Sequence, residues 1–144
     1  GINGRLDTIQ AAVLLEKLSI FDTELKLRNK VARYYTERIC SKFQKPYVPD
    51  KYFSSWAQYS LLARDEDHKN KIMASMKNSG IPVMIYYKIP LHLQKCFNQL
   101  DYKPGDFPVS EDCSKRIFSI PMHPYLERDS QDFIIEKLNI SKED

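Results

Sequence analysis

The sequence predicts an α+β fold in which helices pack on a small, mostly antiparallel sheet. Several segments carry apolar residues at helical spacing, and two short segments alternate between apolar and polar residues, as strands do. The 144 residues fit one domain. An apolar fraction of 42% is typical of globular proteins and excludes a disordered or fibrous chain.

Two helices are expected at the start of the chain. Residues 6–21 carry apolar side chains around nearly the whole helix circumference, which predicts burial on most sides and therefore cover by another domain or subunit. Asn3 or Asp7 could cap this helix, because either side-chain oxygen can accept an orphan backbone N–H. Residues 22–43 form a second, amphipathic helix.

The remaining elements alternate between strands and helices. Residues 56–63 and 81–87 read as strands, and Asp65 can cap a helix between them that Gly80 ends in the left-handed conformation. The other expected elements are a helix from residue 106 that carries Val109, Cys113 and Ile117, an extended segment over 118–124, and a helix over 128–138 that buries Phe133, Ile134 and Leu138.

Composition argues against several classes of function. The 22 basic and 19 acidic residues are interleaved and leave a net charge of only +3, which disfavours nucleic-acid binding. No apolar run reaches the ~18 residues of a membrane span. The three histidines are scattered without metal-ligand spacing, so no metal site is expected. An odd number of well-separated cysteines indicates reduced thiols and a cytoplasmic protein.

The first candidate site is the segment Asn3-Gly4-Arg5, just ahead of a helix. A helix N-terminus offers unpaired N–H donors, and an arginine fork matches phosphate or carboxylate. The alternative is that Asn3 is a cap and Arg5 an ordinary surface side chain.

The second candidate is the segment 85–92, which contains Tyr86, Tyr87, Lys88 and His92. Adjacent residues of a strand point to opposite faces, so Tyr87 is expected to pack and Tyr86 to lie on the other face. Hydroxyl, ammonium and imidazole groups near a strand end suit a polar ligand such as a sugar. The alternative is an edge strand with solvated polar tips.

At these two places the sequence resembles the DegT-type nucleotide-sugar aminotransferases, pyridoxal-phosphate (PLP) enzymes of the aspartate-aminotransferase fold. Residues 1–12, GINGRLDTIQAA, resemble the family signature Gly-x-Asn-x-Arg-Leu-Asp-x-x-Gln-Ala-Ala. The similarity continues in family order through residues 55–59, 90–94, 105–111 and 119–124. The form Asn-Gly-Arg-Leu-Asp-Thr is most similar to the branch that acts on UDP-linked 3-keto-hexuronic acids.

The resemblance implies only the small C-terminal domain of such an enzyme, with residues 1–45 as a helical connecting segment and 46–144 as the small α+β domain. The family's Schiff-base lysine lies in a larger N-terminal domain, so no catalytic residue is expected in this chain and the chain alone should be inactive. Since the helical pattern begins almost at the first residue, which is not Met, we expect the sequence to start inside a longer protein.

The resemblance also implies roles for individual residues. Asn3 and Arg5 would contact the cofactor phosphate across a homodimer interface, and Arg5 would also meet a substrate carboxylate. Tyr86, Tyr87 and His92 would contact the sugar, although Tyr86 stands where the family usually has His and Lys88 where it has Pro. The whole enzyme would take its amino group from glutamate. A non-catalytic dimerisation or binding module of the same fold is the second interpretation.

Overall fold

The computed structural model describes residues 4–140, which form four α-helices, two β-strands and two short 3-10 helices. In chain order these are α1 (Thr8–Arg38), β1 (Tyr59–Leu62), α2 (Glu66–Asn78), the 3-10 helices Leu91–Leu93 and Lys95–Leu100, α3 (Pro108–Arg116), β2 (Ile117–Ile120) and α4 (Arg128–Ile140). The strands are antiparallel and the helices pack around them, so the predicted α+β class is confirmed. Within residues 4–140, no helix combines the length and hydrophobicity that crossing a bilayer requires.

The first helix is a single helix of 31 residues, so the predicted division into two helices was wrong. Asp22 and Thr23 look like a helix start in the sequence, but no Gly or Pro interrupts α1, and apolar residues at helical spacing continue through this point. Asp7 is the N-cap, and its carboxylate accepts hydrogen bonds from the N–H groups of Ile9 (2.8 Å) and Gln10 (3.4 Å).

The two halves of α1 differ in burial. Its buried residues, Val31, Ala32 and Tyr35, all lie in the second half. The first half projects from the domain, and its apolar side chains are exposed, which differs from the burial expected of residues 6–21: Leu6, Ile9, Val13, Leu14, Leu15, Leu18, Ile20 and Phe21. The described chain holds too few elements to surround this half of the helix.

The sheet is small and antiparallel. In β1 and β2, Tyr59 pairs with Ile120 and Leu62 with Ile117. Single bridges extend the sheet on both sides, from Gln44 to Leu62 and from Met84 to Ser119. One face carries Tyr59, Leu61, Phe118 and Ile120 into the core, and on the other face the hydroxyls of Ser60 and Ser119 lie 2.8 Å apart.

The predicted strand over residues 81–87 is only partly formed. Ile81 is buried, and Val83 and Ile85 pack against the core, as the alternation predicted. However, only Met84 bonds to the sheet, and Tyr87 is 68% exposed, so its predicted packing was wrong. Pro82, near the start of the segment, and Pro90, three residues beyond its end, lack the N–H that a longer ladder needs.

Helix α2 follows its sequence signals. Asp65 caps it by accepting the N–H of His68 at 2.8 Å, and Gly80 ends it with a φ of +75°. The buried residues Ile72 and Met76 face the core. This predicted element is therefore confirmed.

The core has one cluster, whose largest fully buried side chains are Tyr35, Phe43, Tyr59, Leu61, Ile72, Met76, Phe118 and Leu138. One core assignment from the sequence was wrong. In α4, Ile134 and Leu138 are buried as predicted, but Phe133 is 42% exposed. Gln131 is buried instead, and its amide N–H donates to the Leu126 carbonyl. Helix α3 ends before Ile117, which begins β2, and Val109 on α3 is exposed.

Alkaline pH should destabilise this core. Burial, and secondarily the neighbouring Tyr59, raises the pKa of Tyr35, and burial also raises the pKa of Tyr59. Below pH 10 both are protonated in the folded and unfolded chains, so their contribution is constant. Above about pH 10 the unfolded chain releases these protons first, so the free energy of unfolding falls by up to ~1.4 kcal/mol per pH unit for each tyrosine.

In Tyr35→Phe, we expect the free energy of unfolding to fall less steeply with pH above about pH 10, because the contribution of one of the two tyrosines is lost. The measurement is hydrogen exchange of the β1 and β2 amides between pH 8 and 11, corrected for the intrinsic exchange rate. The control Tyr47→Phe changes a tyrosine that is 85% exposed and should leave the slope as it is. An unchanged slope in Tyr35→Phe would contradict the assignment.

Candidate functional site

The Arg5 side chain lies at the free end of the projecting half of α1. It precedes the cap residue Asp7 by two positions and is exposed, and no carboxylate within residues 4–140 pairs with it. Asn3, the other residue predicted to bind the cofactor, lies outside the described residues. An exposed guanidinium without a carboxylate partner can bind an anion on another domain or subunit.

The helix N-terminus itself is occupied. The Asp7 carboxylate takes the N–H groups of Ile9 and Gln10, which an incoming anion would otherwise bind. Its negative charge also disfavours a second anion at these donors. Among the described residues, an anion at this end of the chain would therefore meet the Arg5 guanidinium rather than these two N–H groups.

Tyr86 and Tyr87 line a narrow groove on the non-core face of the sheet, where Ser60 and Ser119 also lie. Tyr86 is 52% exposed, and it also borders a neighbouring cleft of about 190 Å³ together with Gln58. Both tyrosines thus present an accessible hydroxyl and ring. Such groups can hydrogen-bond to and stack on a sugar that lies against the sheet.

His92 occupies a different environment, and its side chain is only 7% exposed. Its Nε2–H donates to Glu111 at 3.2 Å, and the same carboxylate oxygen accepts the N–H groups of Gly105 (2.8 Å) and Phe107 (3.4 Å). The Gly105 bond first, then those of His92 and Phe107, lower the pKa of the Glu111 carboxyl. Gly105 has a φ of +100°, which only glycine adopts without strain.

His92 therefore links the segment after Pro90 to the start of α3, and its pairing with Glu111 could not be predicted from residue spacing. The ring also borders an apolar cleft of about 290 Å³, with Tyr102 and Phe107. The described site residues thus fall into three places: Arg5 just before α1, the two tyrosines on the sheet face, and His92 in this aromatic cleft.

The comparison with protein families identifies the chain. Residues 1–139 match the DegT/DnrJ/EryC1/StrS aminotransferase family. The chain belongs to this family. The match covers almost every residue, so the resemblance stated for residues 1–12 and the later blocks is confirmed.

Curated relatives are similar over most of this chain but much longer. A UDP-2-acetamido-2-deoxy-3-oxo-D-glucuronate aminotransferase from Pseudomonas aeruginosa is 37% identical over 128 residues, which cover 88% of this chain and 34% of that protein. A pleiotropic regulatory protein from Geobacillus stearothermophilus is 36% identical over 142 residues, which cover 96% of this chain and 37% of that protein. The chain thus spans about a third of the length of these relatives.

Solved structures show the same relation. A DegT/DnrJ/EryC1/StrS aminotransferase from Brucella abortus matches with a TM-score of 0.87 and 46% identity, over 96% of this chain and 36% of that one. DesV from S. venezuelae, solved with a ketimine intermediate, matches with a TM-score of 0.90 over 100% of this chain and 39% of that one. At 22% identity DesV shows the fold alone. The chain therefore has the fold of one part of a DegT/DnrJ/EryC1/StrS aminotransferase.

The residues of this chain fit a phosphorylated cofactor in part. The exposed Arg5 guanidinium suits a phosphate or carboxylate, whereas the N–H donors of α1 are engaged by Asp7. The described chain thus offers one cationic contact at this end.

Proposed function

We propose that this chain is the C-terminal portion of a PLP-dependent aminotransferase, which transfers an amino group from glutamate to a keto group of a nucleotide-linked sugar. The observation that carries the proposal is the family match through residues 1–139. The Pseudomonas aeruginosa relative, named for a 3-oxo-glucuronate linked to UDP, supports a keto-hexuronic acid as the substrate class.

Arg5 is the residue we assign to the substrate carboxylate. Its guanidinium is exposed and has no ionic partner among the described residues. A planar fork matches the geometry of a carboxylate, and a charge-assisted hydrogen bond of this kind contributes roughly 1.5–3 kcal/mol. This contact would make the enzyme bind a sugar acid more tightly than a neutral sugar.

For the cofactor, we propose that Asn3 and Arg5 hold the phosphate of PLP. When bound, PLP supplies an electron sink for the carbanion that forms when the amino donor loses its α-proton. Asn3 and Arg5 would orient the phosphate end of PLP, because an amide and a guanidinium both donate hydrogen bonds to phosphate oxygens. We assign no catalytic lysine to this chain.

The sugar contacts are assigned to Tyr86, Tyr87 and His92. The two tyrosines are exposed on the open sheet face, which supports direct contact with a sugar hydroxyl. His92 is bonded to Glu111, so we propose that it contributes through the ring edge that does not face Glu111 and by holding the loop before α3.

The active site would be shared between two copies of the protein. The exposed apolar first half of α1 supports this arrangement, since a contiguous apolar patch of this extent usually marks an interface. We propose residues 1–45 as the connecting segment in that interface and 46–144 as the small domain. The three free cysteines support a cytoplasmic location.

The test uses the full-length protein, purified with PLP and supplied with glutamate and a UDP-linked 3-keto-hexuronic acid. We expect an amino sugar and 2-oxoglutarate to form in equal amounts, and the absorbance of the cofactor to change when glutamate is added alone. The 144-residue chain in the same assay should form neither product. If the full-length protein binds PLP but forms no amine from any nucleotide-linked keto sugar, the proposal is wrong.

A further inference from the structure

A further open cleft lies on the core-side half of α1, far along the helix from Arg5. It has a volume of about 670 Å³ and lies between α1, the loop that carries Phe53, and the start of α4. Its lining includes Lys26, Lys30 and Arg33 from α1 and Arg128 from α4. Its size falls within the range typical of small-molecule sites.

The cations of this cleft are not neutralised by the described chain. Lys26, Lys30 and Arg33 are exposed at positions i, i+4 and i+7, so they lie along one side of α1 over about 10 Å. No carboxylate within residues 4–140 forms an ion pair with any of them. Glu37, the acidic residue in the lining, has Arg38 as its own partner at 3.3 Å.

The loop that forms one wall is fixed to α1 by hydrogen bonds. The Arg28 guanidinium donates to the Trp56 carbonyl at 3.0 Å, and the Asn29 amide donates to the Ser54 carbonyl at 3.3 Å. The Trp56 indole N–H returns a bond to the Asn29 oxygen at 3.0 Å. These bonds hold Phe53, whose ring is 69% exposed, at the edge of the cleft.

The opposite wall is held by an aromatic stack. The Arg128 guanidinium lies over the Tyr34 ring, 3.5 Å from its centroid, and Arg38 lies 3.8 Å from the same centroid. The Tyr34 hydroxyl bonds to Asp132. Because the ring fixes the plane of Arg128, this guanidinium loses little further freedom when it binds an anion.

We propose that this cleft binds a small molecule that carries a diphosphate group. Four cations spread over two elements exceed what a single carboxylate or chloride can contact, whereas the several oxygens of a diphosphate can reach more than one of them. The exposed Phe53 ring adds a surface on which a nucleobase can stack. The diphosphate can come from inorganic pyrophosphate or from a nucleoside diphosphate. A substitution of Phe53 distinguishes the two, because only a nucleoside diphosphate has a base that can stack on the ring.

The experiment measures binding by calorimetry with the full-length protein, using pyrophosphate and ADP as probes at one fixed ionic strength. In Lys30→Gln/Arg33→Gln we expect the affinity for both probes to fall roughly tenfold or more, because two charge-assisted contacts are lost. The control Lys71→Gln/Lys77→Gln removes the same charge from the exposed side of α2 and should stay within about twofold of the parent. All four positions are exposed, so folding should be preserved.

The variant Phe53→Ala identifies the source of the diphosphate. A loss of ADP affinity with unchanged pyrophosphate affinity supports a nucleoside diphosphate, and no loss for either probe supports pyrophosphate itself. Equal losses in the cleft variant and the α2 control would overturn the proposal, since they indicate attraction by net charge alone. Tighter binding of an RNA oligonucleotide than of either probe would also overturn it. The readout is binding, so it does not depend on transaminase activity.

Discussion

Replacing Arg5 with Ala in the full-length protein should lower kcat/KM for a UDP-linked keto-hexuronic acid by about 10- to 150-fold, which corresponds to one charge-assisted hydrogen bond. The reason is that the exposed guanidinium is the cation that this end of the chain offers, while the N–H donors of α1 are engaged by Asp7. The same substitution should change kcat/KM for the corresponding neutral keto sugar much less. Steady-state kinetics with the two substrates measures the difference.

Two controls separate the carboxylate role from a role in cofactor binding. Arg5→Lys keeps the charge but not the planar fork, so it should recover only part of the activity toward the sugar acid. PLP occupancy, read from absorbance, shows whether Arg5→Ala has lost the cofactor. Equal losses for the acid and the neutral sugar at full PLP occupancy would reject the carboxylate role of Arg5.

Placing two charges on the projecting half of α1 should disrupt assembly of the full-length protein. Leu14 and Leu18 are 55% and 69% exposed in this chain and lie one helical turn apart. If they are buried between subunits, each contributes roughly 1.5–3 kcal/mol, so Leu14→Glu/Leu18→Glu should weaken self-association by about 100-fold or more. Sedimentation over a concentration series measures the dissociation constant, and transaminase activity should fall with the dimer.

The matched control is Val109→Glu/Ile140→Glu. These side chains are 76% and 57% exposed and lie on α3 and at the end of α4, outside the first half of α1. The control adds the same charge and removes the same number of exposed apolar groups, so it should leave the sedimentation profile unchanged. A dimer of normal stability in the α1 variant would contradict the assignment of this surface to the subunit interface.

Elements with strong local signals could be predicted from the sequence. Helix α2 has an Asp cap at 65 and a glycine stop at 80, and both act within a few residues of the helix ends. The division of α1 was wrong because a potential cap at Asp22 competes weakly with an uninterrupted helical pattern. The strand over 81–87 was overextended, since pairing depends on a neighbouring strand that local alternation does not reveal.

The candidate site shows the same limit. Arg5 was predicted because its neighbours form a local motif. Tyr86 was predicted because adjacent residues of a strand point to opposite faces, although in the structure both tyrosines line the same groove. The pairing of His92 with Glu111 spans 19 residues, and the cleft beside Phe53 joins Lys26 to Arg128, so neither has a local signature. Burial of Phe133 was predicted from apolarity alone, whereas Gln131 takes the inner position, where its amide N–H donates to the Leu126 carbonyl and its Oε1 has no partner among the described residues.

The continuity of α1 has a mechanical consequence. With no glycine or proline between Thr8 and Arg38, the helix behaves as a stiff rod anchored in the core near Tyr35. The anchor lies about 40 Å from the helix start, so a pivot of about 10° in the small domain sweeps that end through roughly 7 Å. A modest tilt of the domain would thus carry Arg5 toward or away from an anion, and leverage along one helix would couple domain orientation to anion contact.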